Sequence, residues 1–352
     1  MTTDPTPPLP PIPDPAPHRR RPRYAGRNPR RFEDKYKEHA AARHPGTVAK
    51  VLASGKTPAG MHRPIMVAEV LSVLSPGPGM TGVDCTLGYG GHARELLARV
   101  APGGRLVALD ADPLELPRTE ARLRDAGFGP EALLARRTNF AALPAVLAGL
   151  EIPGVDFLLA DLGVSSMQLD DPARGFTLKG DGPLDMRMNP DRGSSAQRWI
   201  EGVSPAALAV VLRDNADEPR ADKLAPVLAG RSWAGTAAFA GAVRAALRGV
   251  GPVEVELTVR RVFQAVRIAV NDEFAVLDTL LRHLPGCLNP GGRAAFLTFH
   301  SGEDRRVKRA FESGLAVGAY AEISPEVIRP SPEERRDNPR SAPAKLRWAR
   351  KS

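Results

Sequence analysis

The sequence predicts an α/β fold in which a helical region interrupts a parallel sheet. Strand-like and helix-like patterns alternate between residues 82 and 160. Two of the strand-like runs lead directly into a carboxylate followed by glycine or hydroxyl residues, as buried parallel strands do where they meet a ligand. From about residue 168 to residue 257 only helical patterns with Gly and Pro punctuation follow, with no strand of comparable strength.

Length and composition are those of a globular protein with two domains and tails. The chain has 352 residues, of which 42% are hydrophobic and 25% charged, and a net charge of +9. Residues 1–60 hold 12 Lys and Arg against 5 Asp and Glu, so +7 of this charge lies there. Eight of the first twenty residues are proline. Residues 1–60 are therefore predicted to be a disordered tail, which is either simply solvated or an arm that contacts RNA.

Cysteine usage and hydropathy indicate the compartment. The two cysteines, Cys85 and Cys287, have no partners at zinc-ligand spacing, so we expect no metal. Such sparse cysteine usage fits a reducing, cytoplasmic location. No apolar run approaches the roughly 18 residues of a membrane span, and the Pro-rich start lacks the features of a signal peptide. We therefore expect no membrane association.

The ordered region should begin near residue 62 with four strand and helix pairs. Glycine and proline clusters separate these elements, and Asp112 followed by Pro113 is a typical helix start. The predicted strands are 82–86, 105–109, 133–137 and 155–160, and the predicted helices are 65–74, 92–100, 113–126 and 144–150.

Helical patterns dominate the middle of the chain, and strand patterns return near its end. The predicted helices of the middle region are 196–199, 205–213, 221–229 and 236–247. They are followed by a helix at 263–284, a turn at 289–292, a strand at 293–299, a helix at 302–313 and a strand at 344–349.

Glycines follow the first predicted strand. Gly88, Gly90 and Gly91 would let a ligand approach the backbone, and the next helix offers free N–H groups. Gly88-x-Gly90-x-x-Ala93 also satisfies the dinucleotide fingerprint, which both nucleotide and nucleoside cofactors use. The alternative is a tight turn without a ligand.

Further polar residues follow the next strands. Asp110 ends the second strand about 20 residues after the glycines, where a carboxylate can bind ribose hydroxyls or, alternatively, cap a helix. Phe140 follows the third strand and would either stack on an adenine or pack in the core. Asp161 and Gln168 follow the fourth strand. Because parallel strands end at one edge of a sheet, these positions should line one crevice.

These motifs, taken together, resemble the RsmH (MraW) family of bacterial ribosomal RNA methyltransferases. The resemblance covers about residues 62–350. The matching stretches are His62-Arg-Pro-Ile-Met66, Asp84-Cys-Thr-Leu-Gly-Tyr-Gly-Gly-His92, Asp110-Ala-Asp-Pro113, Asp161-Leu-Gly-Val-Ser-Ser-Met-Gln-Leu-Asp170, Arg174-Gly-Phe176, Asp181-Gly-Pro-Leu-Asp-Met-Arg-Met188, Phe263-Gln-Ala-Val-Arg-Ile268, Phe299-His-Ser-Gly-Glu-Asp-Arg305 and Asn338-Pro-Arg340. The chain departs from the family pattern at residues 214–219, Val262 and Gly302.

The resemblance implies a Rossmann-like S-adenosylmethionine-dependent methyltransferase with an inserted helical domain. The methyltransferase domain would be residues 61–165 plus 265–352, and the substrate-recognition insert residues 166–264. The implied reaction is methylation of the exocyclic N4 of a cytidine in the decoding region of 16S rRNA, within the small ribosomal subunit. The residues implied to bind the cofactor are Gly90, Gly91, His92, Asp110, Phe140, Asp161 and Gln168.

Two residues are candidates for accepting the proton that N4 loses. Asp161 is the first, although it would equally serve only to hold the cofactor. His300, after the fifth strand, is the second, and a structural histidine bonded to backbone is the favoured interpretation of it. The arginines expected near the RNA backbone are Arg174, Arg187, Arg192, Arg260, Arg261 and Arg267.

Two other functions compete with this interpretation. The glycine spacing and Asp110 also fit an NAD-dependent oxidoreductase, but no hydride-transfer site is evident and residues 161–170 stay unexplained. A non-catalytic RNA-binding ribosome assembly factor could keep the same fold, although the intact glycine loop favours an enzyme.

Overall fold

The computed structural model describes residues 64–178 and 180–352, which form seven strands and thirteen α-helices. The predicted tail, residues 1–60, lies outside the described residues, and so do His62 and Arg63. The strands are β1 Thr81–Asp84, β2 Arg105–Asp110, β3 Leu133–Arg137, β4 Val155–Asp161, β5 Leu288–Thr298, β6 Tyr320–Ile323 and β7 Lys345–Lys351. The helices are α1 Val67–Leu74, α2 Gly91–Val100, α3 Glu115–Asp125, α4 Leu143–Gly149, α5 Ser166–Asp170, α6 Ala196–Gly202, α7 Pro205–Ala216, α8 Ala221–Leu228, α9 Thr236–Ala246, α10 Pro252–Val270, α11 Glu273–Cys287, α12 Ser301–Ala316 and α13 Pro332–Asp337.

The strands form one sheet in the order β3-β2-β1-β4-β5-β7-β6. Strands β1 to β5 pair in parallel, and β7 runs antiparallel to both β5 and β6. The strand order reverses between β1 and β4, which leaves a crevice at their carboxyl ends. The predicted α/β class is confirmed, and the doubly covered parallel sheet is Rossmann-like.

Side chains of β4 alternate between the two faces of the sheet, and both faces are buried. Phe157 and Leu159 join a core cluster with α1, α2 and α3, whereas Leu158 and Ala160 join one with α4, α11 and α12. All four are 0% exposed. Burial on both faces explains why residues 157–160 are all apolar.

A third hydrophobic cluster lies in the helical middle of the chain. It extends from Phe176 to Val266 and joins buried residues of α6 through α10. Between residues 180 and 287 the structure contains no strand. The helix α10 crosses residues 264 and 265, so the predicted boundary of the insert falls inside a continuous helix. The domain boundaries stay a prediction.

Two predicted helices are wrong in their limits. The helix expected at 263–284 is two helices, because Asp272 adopts a left-handed conformation with φ 50° and the Asn271 side-chain amide donates to the Met186 carbonyl. The helix expected at 113–126 begins at Glu115. There the Asp112 carboxylate accepts the Leu114 N–H at 2.9 Å, which holds the preceding residues in a turn.

Candidate active site

A cavity of about 1100 Å³ opens at the carboxyl ends of β1, β2 and β4, where the strand order reverses. All seven residues predicted to bind the cofactor line it, namely Gly90, Gly91, His92, Asp110, Phe140, Asp161 and Gln168. The structure therefore brings together residues that are spread over almost 80 positions of sequence.

The glycine loop between β1 and α2 is tightly packed against α3. Gly90 has φ 80°, a conformation that favours glycine. A Cβ atom on Gly90 would lie only 2.7 Å from the Cγ2 atom of Thr119. The Thr119 hydroxyl also donates to the Gly88 carbonyl at 2.6 Å. The loop thus has little freedom to move, and Thr119 is a determinant of its shape that no motif in the sequence pointed to.

The Asp110 carboxylate is held by both neighbouring loops. Its Oδ2 accepts the Gly88 N–H and its Oδ1 accepts the Asp112 N–H, each at 2.8 Å. Burial raises the pKa of Asp110 to about 6, against the lowering effect of these two N–H donors. At neutral pH the group is mainly ionised, and a carboxylate has further lone pairs with which to accept ligand hydroxyls.

Asp161 ends β4 in a strongly acidic environment. Its backbone N–H donates to the Thr86 hydroxyl at 2.7 Å, but its buried Oδ1 has no hydrogen-bond partner among the described residues. Burial raises the pKa of Asp161 to about 8, and the neighbouring carboxylates of Asp84 and Glu303 raise it further in the same direction. An unsatisfied buried carboxyl oxygen at a cavity is a mark of a functional group rather than of a stabilising one.

His92, in the first turn of α2, contacts Asp161. The side chain is 7% exposed. Its Nε2 lies 2.9 Å from the Ile65 carbonyl, and its Nδ1 lies 3.5 Å from the Oδ2 atom of Asp161. The imidazole is therefore fixed between the segment before α1 and the end of β4.

Both ends of the Gln168 side-chain amide are hydrogen-bonded within the protein. Its oxygen accepts the Ser165 N–H at 2.9 Å and its nitrogen donates to Asp112 Oδ2 at 2.9 Å. The Ser165 hydroxyl accepts the Gln168 N–H in return, which forms a capping box at the start of α5. The Ser-x-x-Gln spacing is the sequence signal for such a box and could have predicted this contact. Phe140 lines the cavity and also packs against the core cluster that contains α4.

Arg174 forms a buried ion pair with Asp112, which lines the cavity. Its Nη1 lies 2.7 Å from Asp112 Oδ2, and the two side chains are 10% and 1% exposed. Its Nη2 donates to the carbonyls of Arg187 and Met188. Arg174 therefore joins the loop after β2 to the loop before α6, which is a positioning role rather than the predicted contact with RNA backbone.

The other five arginines expected near RNA fall into two groups. Three are in ion pairs within the protein, namely Arg187 with Asp185, Arg261 with Glu254 and Arg267 with Glu273. Arg192 and Arg260 are exposed and line the cavity. These two are placed to meet a polyanion at the cavity mouth.

His300 is the N-cap residue of α12. Its Nδ1 accepts the Glu303 N–H at 3.4 Å, and its Nε2 lies 3.1 Å from the Glu303 carboxylate. The same carboxylate accepts the Phe299 N–H at 2.8 Å. These contacts give His300 the structural, backbone-bonded role that the sequence favoured, although it also lines the cavity.

Residues 64–178 and 180–352 contain no cluster of three or more His, Cys, Asp or Glu side chains arranged to hold a metal ion. Across the same residues, no helix combines the length and apolar character needed to cross a membrane.

Comparison with known proteins identifies the family of this chain. The family model of the MraW methylase family matches residues 59–352. The chain belongs to the MraW methylase family. Members of this family are methyltransferases. This chain is therefore a methyltransferase and neither an oxidoreductase nor a non-catalytic assembly factor.

Relatives and solved structures with similar chains were also found. Ribosomal RNA small subunit methyltransferase H 1 of Lachnoclostridium phytofermentans is 45% identical over 346 residues, which cover 95% of this chain and 93% of the relative. Ribosomal RNA small subunit methyltransferase H 2 of Alkaliphilus metalliredigens is 45% identical over 342 residues, which cover 95% and 97%. The structure of Aeropyrum pernix fibrillarin with natively bound S-adenosyl-L-methionine is 11% identical and covers 80% of this chain and 74% of that one, with a TM-score of 0.36.

Proposed function

We propose that this enzyme transfers a methyl group from S-adenosylmethionine to the exocyclic N4 of a cytidine in the decoding region of 16S rRNA, within the small ribosomal subunit in the cytoplasm. Relatives at 45% identity carry the name ribosomal RNA small subunit methyltransferase H, which supports the RNA substrate. The observation that carries the proposal is the convergence of the glycine loop, Asp110 and Asp161 on one cavity.

The cavity residues fit S-adenosylmethionine. Asp110 is fixed by two backbone N–H groups with lone pairs left for the ribose hydroxyls. The glycine loop presents backbone without side chains, and Phe140 offers an aromatic face for the adenine. The unpartnered Oδ1 of Asp161 suits a cationic ligand. When bound, the cofactor supplies a sulfonium methyl that is already electrophilic.

Asp161 is the residue that we assign to the acceptor amine. The N4 lone pair of cytosine is delocalised into the ring, so N4 is a weak nucleophile. A carboxylate that accepts a hydrogen bond from the amino group localises the lone pair and then takes the proton. Asp161 has an acceptor atom at the cavity without a hydrogen-bond partner among the described residues. The His300 ring instead accepts the Glu303 N–H at Nδ1, and its Nε2, which makes no hydrogen bond within the described part of the chain, lies 3.1 Å from the Glu303 carboxylate.

The target base must leave its stack to reach this cavity, at a cost of roughly a few kcal/mol. Contacts with the flanking phosphates offset that cost. Arg192 and Arg260 are exposed on the cavity wall, so we assign them to the RNA backbone.

Nucleoside mass spectrometry of 16S rRNA tests the reaction. Small subunits that lack the modification are incubated with the enzyme and S-adenosylmethionine, and we expect N4-methylcytidine at one decoding-region position. With Asp161→Asn, cofactor binding with loss of methylation supports the proton-acceptor role. Methylation at another atom, or at no atom of the RNA, would refute the proposed reaction.

A salt titration of RNA binding tests the two arginines. Arg192→Ala and Arg260→Ala should each lower the slope of log affinity against log salt by about 0.7 to 0.9, the loss of one phosphate contact. Arg282→Ala is the matched control, because Arg282 is exposed and lies outside the cavity. Equal slopes for all three variants would remove the arginines from the RNA interface.

A further inference from the structure

The contact between His92 and Asp161 requires a proton. A backbone carbonyl only accepts hydrogen bonds, so the Nε2 of His92, 2.9 Å from the Ile65 carbonyl, must carry a hydrogen. A neutral imidazole then has its lone pair on Nδ1, which faces Asp161 Oδ2 at 3.5 Å. Two acceptors that face each other repel unless one of them carries a proton, and the His92 and Asp161 side chains are 7% and 21% exposed.

The surroundings of Asp161 make its charged form costly. Asp84, at the end of β1, is 1% exposed, and Glu303, in the first turn of α12, is 3% exposed. Both carboxylates act electrostatically on Asp161. His300 and Arg267 partly offset the negative charge of Glu303. The Asp110 carboxylate repels the Asp84 carboxylate.

Arg267, the arginine that acts on Glu303, is itself paired with another carboxylate. Arg267 forms two hydrogen bonds with the Glu273 carboxylate, at 2.7 and 2.9 Å. The Thr86 hydroxyl, on the loop after β1, accepts the Asp161 backbone N–H and donates to Asp84 Oδ1 at 3.4 Å. The Oδ1 atom of Asp161, which has no hydrogen-bond partner among the described residues, is therefore open to a bound cation.

We propose that Asp161 is protonated in the ligand-free enzyme, with its proton directed at His92 Nδ1, and that it loses this proton when the sulfonium of S-adenosylmethionine binds. This inference rests on the proposed function and extends it to how the site distinguishes its cofactor from its product. S-adenosylhomocysteine has an uncharged sulfur, so it leaves Asp161 protonated. The site thereby recognises the methylated cofactor by charge.

Proton loss on binding also prepares the reaction. Asp161 becomes a carboxylate only once the cofactor is in place, and a carboxylate is the form that can accept a proton from N4. As the N–C bond forms and the S–C bond breaks, the N4 proton passes to Asp161. The acid is then neutral beside a neutral thioether, which is the ligand-free charge state of the site.

Isothermal titration calorimetry in buffers of different ionisation enthalpy measures the protons released. Burial raises the pKa of Asp161 to about 8, so at about pH 7 roughly nine-tenths of the group is protonated. We expect close to one proton released per S-adenosylmethionine and about none per S-adenosylhomocysteine. Between about pH 6 and pH 8 the affinity for S-adenosylmethionine should rise by up to about tenfold per pH unit, while that for S-adenosylhomocysteine stays flat.

Asp161→Asn is the variant that assigns the proton. It should abolish the difference in proton release between the two ligands, so that any release that remains comes from groups other than Asp161. His92→Gln removes the Nδ1 acceptor that stabilises the protonated acid, so the midpoint of the pH dependence should move to lower pH. A midpoint that stays in place would overturn the role of His92.

The comparison of the two ligands on the unaltered enzyme gives a result even if the variants do not fold. Equal proton release by both ligands, with both bound, would overturn this inference and leave the proposed function intact. Absence of binding by either ligand would instead overturn the proposed function, and this inference with it.

Discussion

Replacing Arg174 by methionine tests the buried ion pair between Arg174 and Asp112. Methionine keeps most of the stem but removes the guanidinium that pairs with Asp112 at 2.7 Å. Asp112 is 1% exposed, so its carboxylate would be left buried without a cation. Removing one member of a buried ion pair typically costs about 3 to 5 kcal/mol. The carbonyls of Arg187 and Met188 would also lose their donor.

Urea denaturation followed by circular dichroism measures this loss. The matched control is Arg137→Met, because the Arg137–Asp191 pair is 3.4 Å long and both side chains are about 60% exposed. We expect the control to lose less than about 1 kcal/mol. The double variant Arg174→Met with Asp112→Asn should recover part of the loss, since the unpaired charge is then gone.

An Arg174→Met variant that loses no more stability than the control would refute this reasoning. The Asp112 N–H donates to the Asp110 carboxylate at 2.8 Å. Disturbing Asp112 should therefore also weaken cofactor binding, and the calorimetric Kd reports that effect separately from the free energy of unfolding.

Further variants test the glycine loop and the acidic cluster. Gly90→Ala should lose more stability, and more cofactor affinity, than Gly103→Ala, because both have φ 80° but only the Cβ at residue 90 meets a neighbour within 4 Å. Equal losses in urea melts would contradict the packing argument. Burial raises the pKa of Asp84 to about 7. Since the folded state binds this proton more tightly than the unfolded state, stability should fall as pH rises from about 4 through about 7. Asp84→Asn should reduce that fall, and an unchanged pH profile would exclude Asp84 as its source.

The sheet and the location of the site could be predicted because both follow from local pattern. An apolar run that ends in a carboxylate, as at Asp110 and Asp161, marks a buried strand and the edge where it stops. Parallel strands end on one side, so residues far apart in sequence meet without any knowledge of their contacts. The convergence of the predicted residues on one cavity follows from that rule.

The contacts that hold the site could not be predicted, because they join distant residues without a spacing signal. Arg174 and Asp112 are 62 positions apart, and an isolated arginine gives no sign of its partner. The break between α10 and α11 has the same origin. Asn271 accepts the Met188 N–H, 83 positions away, and a helical pattern runs through this position without interruption.

The attachment of Asp110 to two backbone N–H groups has a thermodynamic consequence. Its rotamer is already selected before any ligand arrives, whereas an ordinary surface side chain must be immobilised at about 0.5 to 1.5 kcal/mol on association. The orientation that Asp110 would need to bind a ribose, as we propose, is thus set during folding. In our proposal, discrimination among ligands then comes from the charge of Asp161, whose Oδ1 has no hydrogen-bond partner among the described residues.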